Sequence, residues 1–162
     1  MKLALADTLV WRDEPKTPGP AVLVDLDGTL ADAAGRQHFL ERRPKDWRGF
    51  FDAAGDDPLI DQVARLLDLL APELIVIVLT ARPVRIRPAT LDWLARHDVR
   101  WDLLVMRDER DFRPSHESKL DALRALVGVG FDLRLAVDDD PRVAAMFRAQ
   151  GLSCLELHSG YY

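Results

Sequence analysis

Five short, mostly apolar runs constrain the fold of this chain more than any other sequence feature. They are four to six residues long and lie at residues 21–24, 74–79, 103–106, 133–137 and 152–157. Apolar runs of this length are typical of strands in a parallel sheet that is covered on both faces. We therefore predict five buried strands at these positions.

Segments with the apolar spacing of an amphipathic helix lie between several of these runs. They cover residues 59–70, 120–127 and 141–150. Pro141 stands at the first position of the third segment, which proline favours, and a glycine follows both the second and the third. The alternation of strands and helices predicts an α/β fold, in which a doubly wound, mainly parallel sheet is flanked by helices.

Proline and glycine indicate where the folded domain begins. Residues 12–20 contain three prolines and one glycine and cannot form a regular helix or a central strand. We expect an N-terminal extension over residues 1–20 and one domain over residues 21–162, because 162 residues with 48% hydrophobic content fit a single core. The stretch at residues 31–58 suits a small helical flap and is too short for a large cap.

Charge and cysteine content narrow the classes of protein that this chain can represent. A net charge of −5 argues against a protein that coats nucleic acid through its overall charge. The single cysteine, Cys154, excludes an internal disulfide framework, and we expect it to pack on a strand. The apolar run near the N-terminus is too short for a signal peptide or a membrane span, so we expect a cytoplasmic protein with no membrane partner.

Two carboxylates follow directly after the first predicted strand. Asp25 and Asp27 are two residues apart, so on an extended segment they point the same way, and Gly28 lets the chain turn immediately afterwards. One carboxylate can attack phosphorus, while the second protonates the leaving oxygen and later activates water. The pair is therefore a candidate catalytic centre for phosphate chemistry.

The ends of the other predicted strands carry residues that suit phosphate and metal binding. Thr80 follows the second strand, and Lys119 opens the helix before the fourth. After the fourth strand come three acids, Asp138, Asp139 and Asp140. Like charges beyond a buried strand repel each other unless a cation binds them, and Mg²⁺ is the natural occupant. Taken alone, Thr80 fits a turn and Lys119 a solvated surface, so they gain weight only as an ordered set.

This ordered set resembles the four motifs of the haloacid dehalogenase superfamily over residues 21–157. The motif residues are Asp25-Leu26-Asp27-Gly28-Thr29, then Thr80, then Lys119, then Asp138-Asp139. The resemblance implies a magnesium-dependent phosphatase with Asp25 as the nucleophile and Asp27 as the general acid and base. It implies that Thr80 and Lys119 hold the phosphate. The implied Mg²⁺ ligands are Asp25, the backbone carbonyl of Asp27, Asp138 and Asp139.

Within the superfamily, the chain resembles the 3'-phosphatase domain of polynucleotide kinase-phosphatase and its stand-alone relatives. Arg36 lies eleven residues after the implied nucleophile, and the stretch Met106-Arg107 to Asp111-Phe112-Arg113 precedes Lys119, as in those domains. By this resemblance the substrate-binding residues are Arg36, Arg82, Arg107, Asp111 and Arg113. The chain departs from the pattern at Ser115, where an acidic residue is usual. No P-loop kinase motif is present in these 162 residues.

Several functions remain open at this stage. The resemblance implies phosphate removal from nucleic-acid 3' ends, with free nucleotides or another small phosphate ester as the alternative substrate. A catalytically silent module that captures phosphorylated ends is a further alternative, although intact Asp25 and Asp27 favour an enzyme. Residues 36–48 carry five basic and two acidic side chains, which predicts a basic rim for a phosphate backbone. The nearby aromatic residues either stack on bases or pack the flap onto the core; they are Trp47, Phe50 and Phe51.

Overall fold

The computed structural model describes residues 6–162, which contain one six-stranded sheet. The strands are β1 (Leu9–Trp11), β2 (Pro20–Val24), β3 (Ile75–Pro83), β4 (Leu103–Arg107), β5 (Asp132–Asp138) and β6 (Cys154–Glu156). Their order across the sheet is β1-β4-β3-β2-β5-β6. The pairing of β1 with β4 is antiparallel, and the other neighbours are parallel.

Six helices of the described part of the chain connect these strands. They are α1 (His38–Glu41), α2 (Trp47–Asp52), α3 (Asp61–Leu69), α4 (Arg87–Arg96), α5 (Ser115–Gly128) and α6 (Pro141–Ala149). The start of α6 follows the rule for helix N-termini, because the carboxylate of Asp140 accepts a hydrogen bond from the backbone N–H of Arg142 at 2.9 Å. None of the helices in residues 6–162 is both long enough and apolar enough to span a membrane.

The core lies on both faces of the sheet, which explains the uninterrupted apolar runs. Side chains alternate along β2, so that Val22 and Val24 join one cluster while Ala21 and Leu23 join the other. Helices α3 and α4 cover the first face, and α5 and α6 cover the second. The predicted α/β sheet flanked by helices is therefore confirmed, and so are its five strands.

Two elements were missed by the sequence interpretation. Strand β1 lies within the predicted N-terminal extension, yet it pairs with β4 and joins the edge of the sheet. Its three residues are too few to show the pattern of a strand, and they adopt strand structure because they pair with β4. Helix α4 buries Thr90, Trp93 and Leu94, but charged residues interrupt the apolar spacing that identifies a helix.

The segment between β2 and α3 forms the predicted small helical flap. It contains α1, α2 and two 3-10 turns, Ala34–Arg36 and Ala54–Asp56. Ala54 is buried in the core cluster on the first face with Phe51 packed against that cluster, while Trp47 remains half exposed. The segment thus packs against the core cluster on the first face, and its residues line a groove beside Asp25 and Asp138.

Candidate active site

The parallel register of the central strands brings the predicted catalytic residues to one edge of the sheet. Val24, the last residue of β2, lies beside Val78 of β3 and Val137 of β5. Asp25 and Asp138 therefore follow at neighbouring strand ends. Ligands of open α/β sheets bind at such carboxyl ends.

Three carboxylates and one ammonium form a buried cluster at this edge. Asp25, Asp138 and Asp139 each offer an oxygen within 4.8 Å of the others. The Nζ of Lys119 lies 2.8 Å from Oδ1 of Asp25 and 2.6 Å from Oδ2 of Asp138. All four residues are buried. The structure brings these four predicted residues close together, and Lys119 lies in the second turn of α5 rather than at its start.

The electrostatics of this cluster are dominated by burial and by repulsion between carboxylates. Burial and the charge of Asp138 raise the pKa of Asp25 well above its ordinary value, although Lys119 opposes the shift. Burial also raises the pKa of Asp139 to about 6. Burial lowers the pKa of Lys119, but the charges of Asp138 and Asp25 outweigh it and hold that pKa above its ordinary value. The single ammonium of Lys119 therefore does not neutralise the three carboxylates of the cluster.

The residues of the cluster fit a divalent cation. Both carboxylate oxygens of Asp139 are buried, and neither has a hydrogen-bond partner in the described residues. Such oxygens are unfavourable when desolvated, and Mg²⁺ prefers carboxylate oxygens as ligands. Lys119 engages one oxygen of Asp25 and one of Asp138, and the other oxygen of Asp138 accepts from the backbone N–H of Asp140 at 3.0 Å. Asp139 and the second oxygen of Asp25 are therefore the least engaged.

Gly28 allows the loop after β2 to approach Asp139. Its φ is +84°, in the left-handed region that favours glycine. A Cβ atom at this position would lie 2.0 Å from Oδ2 of Asp139. The glycine is thus required by a close contact as well as by the turn.

Asp27 is held by two arginines rather than by the acidic cluster. The Nη2 of Arg82 and the Nη2 of Arg36 each lie 2.7 Å from its Oδ1, and the Nε of Arg82 donates to both of its oxygens at 3.1 and 3.2 Å. Burial raises the pKa of Asp27, but the charges of Arg82 and Arg36 more than offset this, so the pKa lies below its ordinary value. The two acids of the motif therefore have opposite pKa shifts.

Arg36 and Arg82, which are predicted to bind substrate, lie inside the protein. Both are buried, and every guanidinium nitrogen of each is engaged within the protein. Arg36 donates to Asp27, to Asp57 and to the backbone carbonyl of Phe50. Arg82 donates to the hydroxyl of Thr90 as well as to Asp27. Neither arginine lines the groove, so Arg36 is not part of a basic rim. Both arginines hold Asp27 in this structure, and substrate binding by either one stays a prediction.

Thr80 is buried within β3, where the pairing with β4 is interrupted after Leu79, and not just after the strand as the sequence predicted. Its Oγ1 accepts a hydrogen bond from the backbone N–H of Arg82 at 3.1 Å. The hydroxyl proton is still available for donation, as a phosphate contact requires. The contact between Thr80 and phosphate stays a prediction.

A wide groove opens in front of the carboxylates. Its volume is about 1240 Å³, and Asp25, Asp27 and Lys119 are among the residues that line it. The flap contributes Lys45 and Arg48 to its wall. A small-molecule pocket usually has a volume of about 300–1,000 Å³, so this groove is large for a single small ligand.

Arg107, Asp111 and Arg113 line the groove but differ in how free they are. Asp111 and Arg113 pair with each other, with Nη2 and Oδ2 2.8 Å apart, and Arg113 also pairs with Asp121 at 2.9 Å.

Arg107 donates from Nη2 to the carbonyl of Arg113 at 2.7 Å and to Ser118 at 3.2 Å. Its Nε is buried without a partner, and within residues 6–162 it makes no ion pair. Burial also lowers the pKa of Arg107. Of the predicted substrate arginines, it is the freest to bind an anion.

The sequence interpretation missed several residues of the site. Asp57 is buried and pairs with Arg36 at 2.8 Å between Oδ1 and Nε, and it lies in the flap outside any recognised motif. The hydroxyl of Tyr161 donates to Oδ1 of Asp32 at 2.7 Å, which joins the C-terminal residues to the start of the flap. Phe112 and Tyr162 also line the groove. Of these residues only Asp57 lies in a recognisable local pattern, Asp56-Asp57-Pro58, and that pattern is typical of a turn.

Comparison with known proteins agrees with this geometry. A family model described as the polynucleotide kinase PNKP phosphatase domain matches residues 19–162. The structure of the Pnkp1/Rnl/Hen1 RNA repair complex is similar with a TM-score of 0.76 and 27% identity, covering 94% of this chain and 47% of that one. The class C acid phosphatase from Bacillus anthracis shares the fold with a TM-score of 0.64 and 15% identity, over 91% of this chain and 69% of that one.

Fold and site together define a phosphatase of the haloacid dehalogenase type. The chain belongs to the family of polynucleotide kinase PNKP phosphatase domains. It spans about half the length of the chains that it matches in the structures of the Pnkp1/Rnl/Hen1 complex.

Proposed function

We propose that this protein is a magnesium-dependent phosphomonoesterase that removes 3'-phosphates from nucleic-acid ends through an aspartyl-phosphate on Asp25. The observation that supports it most strongly is the separate environment of the two acids. Asp25 contacts Lys119 beside the acidic cluster, whereas Asp27 is fixed between two arginines. One carboxylate is thus placed to attack, and the other is oriented for proton transfer.

The reaction begins with attack by a carboxylate oxygen of Asp25 on phosphorus. The new O–P bond forms as the ester P–O bond breaks, and the leaving oxygen takes a proton from Asp27. An approaching phosphate adds negative charge beside Asp27 and raises its lowered pKa, which favours the protonated form needed for this step.

Hydrolysis of the phosphorylated Asp25 completes the cycle. Water attacks phosphorus, its proton passes to Asp27, and the bond between phosphorus and Asp25 breaks to release phosphate. Lys119 lies close enough to Asp25 to stabilise the carboxylate that reappears. Mg²⁺ held by Asp25, Asp138, Asp139 and the carbonyl of Asp27 would favour ionised Asp25 and neutralise charge on the phosphate oxygens.

Replacing Asp139 with asparagine is expected to weaken magnesium activation without loss of folding. The change removes a carboxylate whose pKa burial raises to about 6. Because that pKa lies above the unfolded value of about 4, ionisation of Asp139 destabilises the metal-free fold as pH rises from about 4 to 6. Without metal at pH 7, the variant should therefore melt at the same temperature as the wild type or higher. The magnesium concentration for half-maximal activity should rise by more than about 10-fold.

The matched control for this variant is Asp140→Asn. Asp140 caps α6 and pairs with Arg142, and asparagine also caps helices well. Its magnesium requirement should stay close to that of the wild type, measured both by phosphate release and by the thermal shift that magnesium produces. Equal magnesium dependence of Asp139→Asn and the wild type in both measurements contradicts the proposed metal site.

The substrate assignment is supported by the shape and charge of the groove. Its volume exceeds that of an ordinary small-ligand pocket, and Lys45, Arg48 and Arg107 line it. These cations lie outside the carboxylate cluster, so they are available for phosphates that do not react. A polynucleotide end supplies such phosphates, whereas a nucleoside monophosphate carries only the phosphate that is transferred.

Side-by-side assays of 3'-phosphorylated oligomers, 5'-phosphorylated oligomers and nucleoside monophosphates test the substrate. We expect the highest kcat/KM on the 3'-phosphorylated oligomers. That value should also fall more steeply with salt, because only the oligomer releases condensed counterions. If nucleoside monophosphates are cleaved best and the salt slopes are equal, the enzyme acts on free nucleotides.

A further inference from the structure

Phe112 is the most exposed large apolar residue of residues 6–162. Its accessible fraction is 89%, and it lies between β4 and α5 on the wall of the groove. A phenylalanine ring gains stability by leaving water, so a ring this exposed contributes almost nothing to folding. Fold stability therefore does not explain why a phenylalanine lies at this position.

The residues beside Phe112 hold the ring in front of the groove. Asp111 accepts from the Nε of Arg113 at 3.0 Å, and the Nη1 of Arg113 lies 2.9 Å from Asp121 on α5. The backbone N–H of Asp111 donates to the carbonyl of Asp108 at 3.1 Å. The loop is thus tied on both sides of Phe112, and this anchoring opposes a move of the ring into the core.

The other aromatic residues of the groove already have partners. Trp47 stacks on Phe51 with ring centres 6.1 Å apart, and it meets Phe50 edge-on at 5.8 Å. Phe50 in turn packs against the guanidinium of Arg36 at 4.2 Å. Within the described residues, Phe112 makes no ring contact. Both faces of its ring are available to a ligand.

The surroundings of Phe112 define the ligand that fits. Arg107, which makes no ion pair in residues 6–162, lines the same groove, and Arg113, which pairs with Asp111 and Asp121, follows Phe112 directly. A flat apolar ring beside cations matches a group that is planar on one side and anionic on the other. An unpaired nucleotide has both parts, because its base stacks on aromatic side chains and its phosphate binds arginine.

We propose that Phe112 is the stacking platform for an unpaired base at the end of the substrate strand. This inference rests on the proposed function and adds a requirement for a single-stranded or frayed end. A base in a duplex is already stacked and cannot offer a free face to the ring without unpairing.

The test compares two 3'-phosphorylated single strands, one complete and one that lacks the bases of its last three nucleotides. Phe112→Ala is expected to raise KM for the complete strand by about 5- to 150-fold, the range that loss of one stacked base implies. KM for the base-free strand should change less than about twofold, since no base is present to stack. Phe112→Trp should restore the wild-type KM.

Leu69→Ala is the matched control, because Leu69 is 78% exposed and lies outside the groove. It should leave both KM values unchanged. If Phe112→Ala raises KM equally for both strands, or raises it for neither, Phe112 is not the stacking platform. If the wild type releases phosphate from neither strand, the proposed function has failed. Equilibrium binding of the two strands, which needs no turnover, then decides the role of Phe112 separately by the same comparison.

Discussion

Asp25→Asn is expected to lower phosphate release by at least about four orders of magnitude, because an amide is a very poor nucleophile and the reaction has no other route to the intermediate. The fold should persist, since asparagine fills the same volume and removes one member of a mutually repelling cluster. Phosphate release under saturating substrate measures the first effect. Acid-quenched reactions with labelled substrate should show covalent phosphate on the wild type and none on the variant.

The control for this experiment is Asp68→Asn on α3. Asp68 is exposed and lies outside the groove, so the same chemical change should leave turnover within about twofold of the wild type. If Asp25→Asn keeps a tenth of the wild-type rate with the same metal dependence, Asp25 is not the nucleophile.

Arg82→Met is expected to affect both stability and catalysis. The side chain is fully buried and makes three contacts with Asp27 of 3.2 Å or less. Loss of one partner from a buried ion pair typically lowers the free energy of unfolding by about 3–5 kcal/mol. Turnover should fall by at least about 100-fold, the smaller end of the effect of general acid–base catalysis. Denaturant unfolding and steady-state kinetics measure the two effects.

The pH dependence separates a positioning role of Arg82 from a purely structural one. Removal of its charge raises the pKa of Asp27, so the fall in kcat/KM at high pH, where Asp27 loses the proton that it donates to the leaving oxygen, should move to higher pH. In the wild type the folded pKa of Asp27 lies below the unfolded value. The ion pair therefore contributes stability above about pH 4 and loses it as pH falls through the folded pKa. The stability difference between the two proteins should accordingly shrink in acid.

Arg65→Met serves as the control, because Arg65 is exposed and its ion pair with Asp61 is 4.0 Å long. Exposed pairs of this kind contribute about 0–1 kcal/mol, so neither stability nor the pH profile should change much. If Arg82→Met is destabilised but keeps the wild-type pH profile, the arginine supports the fold without tuning Asp27.

The sequence by itself determined the class of fold and the centre of the site. Apolar runs report burial directly, so five strands were found with ends within four residues of the observed ones. In a parallel sheet the residues after each strand meet at one edge, which predicts that Asp25 and Asp138 lie close together, whereas Lys119 was added only by its place in the ordered set of motif residues; in the structure it contacts both carboxylates. The order of these residues along the chain also carried the resemblance to the family that the match over residues 19–162 confirmed.

Only the tertiary structure decided which side chain each charged residue meets. Arg36 pairs with Asp57, 21 positions away, and Arg82 with Asp27, 55 positions away, so no local pattern could show that both arginines are occupied inside the protein. The same holds for Asp138, which pairs with Lys119, and for Asp139, whose oxygens have no hydrogen-bond partner within normal distance in residues 6–162. Sequence spacing fixes which strand end a residue follows, whereas the direction and pairing of a long side chain depend on segments that come together only when the chain folds.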